Sequence, residues 1–222
     1  MKTTNETESN ESEMICQKIK DKLLNLCEHK FKYYKKNEII YRENTPADEI
    51  YYLREGKVKI FITDSKNEEQ ITRFVSSGNF FGIKSVVSGK IHLNSSKTID
   101  DTTLCALPRK DFIRVAKEHS DISFYLMQCL SKSSCEILDI VSFLNKSEKE
   151  RLAYILICLC NKFHTDSIKI LKTDLANFSH IEKNKLNPYL SEFKEKKLIH
   201  LNSQRIKVCN RNGLIKIASM TI

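Results

Sequence analysis

The chain is expected to fold as an α+β protein in three parts: an N-terminal antiparallel β-barrel or jelly roll, a long dimerisation helix, and a C-terminal pair of short helical segments closed by a hairpin. Three observations carry this expectation. Between Phe31 and Phe112 the apolar residues come in short runs separated by turn residues, between Ser120 and Asn145 they recur at steps of three and four, and after residue 145 the charge changes sharply. Residues 146–222 hold 15 Lys/Arg against 7 Asp/Glu, a net of +8 out of the +9 carried by all 222 residues. The positive field therefore belongs to one part of the molecule, as for a surface that meets a polyanion.

In order along the chain, residues 1–12 are rich in Thr, Asn, Glu and Ser, have little to bury and are expected to be disordered. From Glu13 to Cys27, Ile15, Ile19, Leu23 and Leu26 mark a short amphipathic helix. The runs EIIY, EIYYLR, KVKIFIT and QITRFV follow, broken at Asn44-Thr45-Pro46, Glu55-Gly56, Asp64 to Glu68 and Ser76 to Gly78. Many short strands without a long helical pattern between them describe an antiparallel barrel, which with flanking helices covers 13–119. Gly56, Gly78 and Gly82 fall at its turns, where a positive φ is the simplest reason for glycine. TTLCALP is the last strand, ended by Pro108.

Over 120–145, Ile122, Leu126, Cys129, Ser133, Ile137, Ile140 and Leu144 form one seam that can pair with the same helix of a second subunit. A helix packed against its own barrel competes with this homodimer for the seam.

Ser147-Glu148-Lys149-Glu150 is a capping box that opens the helix RLAYILICLCNKF and marks the start of the last unit, 146–222. Thr173-Asp174 opens a very short helix, LANF, and Ser179-His180-Ile181-Glu182 is a second box opening the next helix. Leu198 to Leu201 and Arg205 to Val208 would be the strands of a wing around Asn202-Ser203-Gln204. Two compact helices and a basic hairpin outline a winged helix-turn-helix, a module that places one helix in a DNA major groove. Double-stranded DNA is the expected partner, and a two-fold dimer would read two half-sites about one helical turn apart. Lys169, Lys172 and Thr173, with Arg205 and Lys207 on the wing, are candidates for phosphate contacts that position a duplex without reading its sequence.

No apolar run approaches the roughly 18–20 residues needed to span a bilayer. The polar, acidic N-terminus lacks the basic start and apolar stretch of a signal peptide, so a cytoplasmic protein without membrane contact is expected. The eight cysteines, at 16, 27, 105, 129, 135, 158, 160 and 209, contain no CxxC pair. They read mostly as small buried residues rather than a disulfide framework, and no metal site or cofactor is assigned. A barrel enzyme of the cupin kind would need two or three inward histidines and a carboxylate, whereas only His92 lies in the strand region. No catalytic residue is assigned.

The layout resembles the Crp/Fnr superfamily of bacterial transcription regulators over nearly the whole chain. The resemblance rests on Asn37-Glu38-Ile39-Ile40 through Pro46-Ala47-Asp48 to Ile50-Tyr51-Tyr52-Leu53 and Glu55-Gly56-Lys57-Val58-Lys59 at the barrel opening. It continues in Gly78-Asn79-Phe80-Phe81-Gly82, Leu107-Pro108-Arg109-Lys110-Asp111-Phe112, Glu150-Arg151-Leu152-Ala153, Asp174-Leu175-Ala176 and Leu198-Ile199. It implies a cyclic-nucleotide-binding-type barrel, a dimerisation helix and a DNA-reading winged helix, with RNA polymerase and an unidentified small-molecule effector as further partners. The effector-pocket candidates are Gly78, Phe80, Phe81, Gly82, Ile83, Lys84, His92 and Leu93.

The chain departs from that pattern in two places. Where cyclic-nucleotide binders of the family carry a Glu for the ribose hydroxyl stands Ile83, and where they carry an Arg and a small hydroxyl residue for the phosphate stand His92 and Leu93. Isoleucine accepts no hydrogen bond and neutral histidine replaces a bidentate guanidinium poorly, so no response to cyclic nucleotides is expected. The family's base-reading positions align with Lys183, Asn184 and Pro188, with Lys185 and Tyr189 nearby. Proline inside a helix started at Ser179 would remove one hydrogen bond and impose a kink. Alternatively Asn187 caps a new helix with Pro188 in its first turn. A regulator that has lost DNA reading and acts through protein contact is the competing function.

Overall fold

The computed structural model describes residues 21–25, 31–65, 67–89, 91–202 and 205–219, and in its longest helix the side chains of 129 and 132–142 fall outside the description. The tail expected over 1–12, most of the helix expected over 13–27 and the wing tip at Ser203 and Gln204 lie outside the described residues. Residues 21–25 are helical, and Leu23 is buried.

Strands β1 (Phe31–Tyr34), β2 (Ile39–Tyr41), β3 (Glu49–Glu55), β4 (Lys57–Thr63), β5 (Glu69–Ser76), β6 (Asn79–Phe81), β7 (Ser95–Thr98) and β8 (Thr102–Pro108) form two four-stranded antiparallel sheets. Their orders are β1-β8-β3-β6 and β2-β7-β4-β5, the two layers of a jelly roll. Tyr41, Tyr51, Leu53, Val58, Ile60, Val75, Phe81 and Leu104 fill the space between them. The tight β3–β4 turn needs Gly56, whose φ is +95° and where a Cβ would stand 2.6 Å from the Asp101 carbonyl oxygen. Helix α1 (Ile83–Ser88) starts at Gly82, also in the left-handed region at φ +83°.

Strand β4 reads KVKIFIT, and its middle residues Val58 to Phe61 are buried on both faces. Val58 and Ile60 point into the barrel core, while Phe61 belongs to a second cluster on the outer side. Strand β5 repeats the division, with Val75 inward and Ile71 and Phe74 outward. The polar strand β7 escaped the sequence reading because its buried Ser95 and Thr98 hydroxyls are held by hydrogen bonds rather than apolar contacts. Glu43 N–H donates to Ser95 Oγ over 3.0 Å, and Thr98 Oγ1 donates to the Lys35 carbonyl over 2.6 Å.

Helix α2 (Arg109–Glu118) leads into α3 (Ser120–Leu144). Of the expected dimer seam, Ile122 and Leu126 are buried against Leu23, Phe112 and Val115 of the same chain. This corrects their assignment: this end of the seam faces its own barrel, and Phe124 and Met127 are the exposed apolar residues. The side chains of Cys129, Ser133, Ile137 and Ile140 lie outside the described residues, and Leu144 is exposed.

The last unit contains α4 (Glu148–Phe163), β9 (Ser167–Ile168), α5 (Lys172–Phe178), α6 (Lys183–Glu195), β10 (Ile199–Leu201), β11 (Ile206–Val208) and α7 (Arg211–Ile217). The expected capping box is present, with Ser147 and Glu150 bonded reciprocally. These bonds hold the Glu150 carboxyl down at about 2, chiefly through the Ser147 hydroxyl and amide. The wing is a three-stranded antiparallel sheet in the order β10-β11-β9.

Two expected helix starts are corrected. Helix α5 begins at Lys172 after Leu171, so Thr173 and Asp174 lie in its first turn. Ser179 ends α5 instead of opening α6; it is buried, and its hydroxyl has no hydrogen-bond partner among the described residues. The cause is the turn itself: His180 takes φ +51°, and the N–H groups of His180 and Ile181 bond back to the carbonyls of Asn177 and Ala176. Helix α6 then starts after Glu182 and runs unbroken through Pro188, so Asn187 does not cap a separate helix.

One apolar core crosses the boundary expected at residue 146. Phe61, Ile71 and Phe74 of the barrel pack in the same cluster as Leu152, Leu156, Leu175, Leu186, Leu190 and Phe193. Cys105 is also corrected: this buried residue of β8 is disulfide-bonded, and its partner lies outside the described residues, a pairing that sequence spacing cannot reveal.

Candidate nucleic-acid interface and barrel interior

Helix α6 has three distinct faces, set by its 3.6-residue period. Leu186, Leu190 and Phe193 are buried in the shared core. Lys185 and Tyr189 turn toward the start of α4: Tyr189 OH donates to Glu148 Oε2 over 3.0 Å, and Lys185 Nζ lies 3.5 Å from Glu148 Oε1. Lys183, Asn184, Asn187 and Pro188 share the remaining face and are all exposed. The five sequence candidates for base reading are thus divided. Lys183, Asn184 and Pro188 stand together in solvent, whereas Lys185 and Tyr189 are engaged with α4. Asn187, at helical spacing from Lys183 and Asn184, belongs to the exposed stripe and was not among the base-reading candidates because the sequence offered it only as a cap.

The turn that presents this stripe is pinned from below by one side chain. Arg151 Nε donates to the Ser179 carbonyl over 3.0 Å, Nη2 to the His180 carbonyl over 2.6 Å and Nη1 to the Lys146 carbonyl over 2.8 Å. Burial first, then the Arg151 charge, lowers the His180 pKa, keeping that imidazole neutral near physiological pH. Lys169, Lys172, Thr173, Arg205 and Lys207, the phosphate candidates, are all exposed. Lys172 Nζ donates to Asn187 Oδ1 over 2.7 Å, linking the start of α5 to the exposed face of α6.

The barrel candidates are also divided. Phe81 and His92 lie inside, stacked with Tyr41 and Tyr51: the ring centroids of Tyr41 and Tyr51 are 5.5 Å apart and those of Tyr51 and Phe81 5.2 Å. Phe80 and Ile83 turn the other way, toward the cluster under α2 and α3. Lys84 and Leu93 are exposed, and Gly78 and Gly82 shape turns. Burial pushes the Tyr41 phenol up to about 12 against the opposing influence of Ser96 and the Arg73 charge. Tyr41, Tyr51 and Arg73 were not among the sequence candidates. Arg73 stands two residues from inward-facing Val75, a period-two signal that could have found it, and its Nε is buried without a partner among the described residues.

With this geometry in view, the similarities to known proteins are specific. The cyclic nucleotide-binding domain family matches residues 31–119, the barrel and α2. The chain is 21% identical over 209 residues to the Escherichia coli K12 fumarate and nitrate reduction regulatory protein, covering 90% of this chain and 83% of that one. It is 22% identical over 207 residues to the Haemophilus influenzae anaerobic regulatory protein, covering 89% and 79%. The chain is similar over most of its length to Crp/Fnr-type regulators.

Solved Crp/Fnr-type structures share its fold. FixK2 from Bradyrhizobium japonicum superposes with a TM-score of 0.79 at 20% identity, covering 86% of this chain and 98% of that one. A CRP-family transcriptional regulator from Thermus thermophilus, TTHB099, gives 0.71 at 16% identity, covering 86% and 97%. The matched relatives are regulatory proteins rather than enzymes.

Proposed function

We propose that this chain is a homodimeric transcription regulator that reads a pseudo-palindromic DNA site through α6 and does not respond to cyclic nucleotides. The observation that carries the reading is the exposed stripe of Lys183, Asn184 and Asn187 on α6, held by Arg151 and flanked by exposed Lys169, Lys172, Arg205 and Lys207. Lysine can reach a guanine O6/N7 edge and asparagine can pair with adenine N6/N7. The surrounding lysines and arginine supply phosphate contacts.

Insensitivity to cyclic nucleotides is supported by what fills the barrel. Tyr41, Tyr51, Phe81 and His92 occupy the space between the sheets, and Ile83 stands where a ribose-binding Glu would be. For the dimer, the outward Phe124 and Met127 of α3, both more than half exposed, are the residues to place against a second copy. RNA polymerase is the further partner of a regulator bound in this way.

The test is selection of bound genomic fragments by the purified protein at about 150 mM salt, where attraction to phosphate alone is weak. Enrichment of a two-fold symmetric site, unchanged by millimolar cyclic AMP or cyclic GMP, is the expected result. Dimers that select no sequence would instead favour action through protein contact.

A further inference from the structure

A buried ionic cluster joins the barrel to the helix that precedes α6. Lys59, on the outer face of β4, places Nζ 2.6 Å from Asp174 Oδ1 in α5 and 2.7 Å from Glu69 Oε2 in β5. The Lys59 and Asp174 side chains are each only 7% exposed. Burial alone would lower the Lys59 pKa, but hydrogen bonds to Asp174 and Glu69 outweigh it and hold the ammonium charged. Beside it, Asn177 of α5 joins the edge of β5: Ile71 N–H donates to Asn177 Oδ1 over 2.6 Å, and Asn177 Nδ2 donates to the Glu69 carbonyl. Phe74 backs the contact, edge-on to Phe178 with ring centroids 4.8 Å apart.

We propose that this Lys59–Asp174–Asn177 clamp fixes the DNA-binding unit to the barrel in its DNA-competent orientation, so that site recognition requires no effector. The inference rests on the DNA-reading function proposed above and assigns its regulation. Two observations decide between a clamp that opens the reading surface and one that hides it. The clamp takes hold of α5, while Lys183, Asn184, Asn187 and Pro188 on α6 stay in solvent. Among the described residues, the ion pair from the barrel to that stripe, Lys183 to Glu68 at 3.3 Å, joins side chains 65% and 55% exposed, a pairing weak enough to yield to a phosphate or a base.

Rigidity is what a dimeric reader gains from such a clamp. Two α6 helices engage half-sites at one fixed separation only if each is held firmly to its own barrel, because a loosely tethered second unit has a lower effective concentration at its half-site. With the barrel filled by its own aromatic side chains, the buried Lys59–Asp174 pair, beside the shared apolar core, supplies the ordering from within the chain. Removing Lys59 leaves the Asp174 carboxylate buried without its cation, a state relieved by undocking.

The test compares full-length wild type, Lys59→Met and the milder Asp174→Asn, both of which leave the Asn177 acceptor of the Ile71 amide in place, each first checked for cooperative thermal unfolding. Amide exchange at Ile71 reads docking, and affinity for the selected site against the same site with two base pairs inserted between half-sites reads its consequence. Docking loss should raise Ile71 exchange, weaken binding to the native spacing about tenfold and reduce the spacing discrimination to about twofold or less. Unchanged Ile71 exchange in both variants overturns the clamp. Raised exchange with wild-type spacing discrimination overturns its role in recognition. If the wild type binds no specific site, the DNA-reading function itself fails and the proposal falls with it, a result the exchange data keep separate from failure of the clamp.

Discussion

The imidazole of His92 lies nearly parallel to the ring of Tyr41, with centroids 3.9 Å apart and planes inclined by 12°. Both rings are buried, and His92 Nδ1 has no hydrogen-bond partner among the described residues. A neutral stacked imidazole is thereby built into the wall of the barrel.

Acid should therefore weaken the barrel through this residue. Burial lowers the His92 pKa, against a smaller opposing influence of Asp48. The unfolded chain then takes up the proton at higher pH than the folded one, so stability is full above about 6.5 and declines as pH falls below it. Denaturant titrations at pH 7.5 and 5.5 should show the loss in wild type and a smaller one in His92→Phe, which keeps the stack. An equal loss in both would assign the acid sensitivity to other groups.

Gly56→Ala should destabilise the fold by at least about 2 kcal/mol, since it places a Cβ against the Asp101 carbonyl in a left-handed backbone conformation. Urea midpoints measure this. Gly78→Ala is the instructive comparison: its φ is similarly positive at +81°, but no atom of the described residues lies within 4 Å of the added carbon, so its loss should be smaller.

Lys172→Ala should weaken binding to all duplexes alike and reduce the slope of log affinity against log salt by about 1, as loss of one phosphate contact does. Fluorescence anisotropy on the selected site and on a scrambled duplex would check it. A loss confined to the selected site would make Lys172 a reader through its bond to Asn187.

Asn184→Ala should behave differently, costing about 1–3 kcal/mol on the best site and relaxing the preference at one base pair per half-site. A repeat of the fragment selection with this variant reads the change directly. If the consensus is unaltered, Asn184 makes no base contact.

The sequence made the strands β3, β4, β5 and β8 legible because each is a run of apolar or β-branched residues between turn signals. It made α4 legible because Ser147 and Glu150 are a complete local signal. It misplaced the start of α6, because Ser179 and Glu182 imitate a capping box whose serine the Arg151-anchored turn buries. The division of the α6 candidates was beyond it for another reason: Lys185 and Tyr189 are drawn aside by Glu148, some 40 positions away in sequence. The docking of α5 on the barrel did leave a trace. Phe61 and Phe74, on strands that also carry inward Val58 and Val75, mark outer faces apolar enough to need a cover.

Phe74 meets Phe178 and also Phe163 edge-on, at centroid distances of 4.8 and 6.1 Å, so a barrel side chain completes the interior of the neighbouring unit. Cutting the chain before Ser147 would leave those two rings facing water, and a fragment of 147–222 should be prone to self-association. Heating the intact protein should give a single calorimetric peak with matching calorimetric and van't Hoff enthalpies, because neither half can melt without stripping the other of its packing.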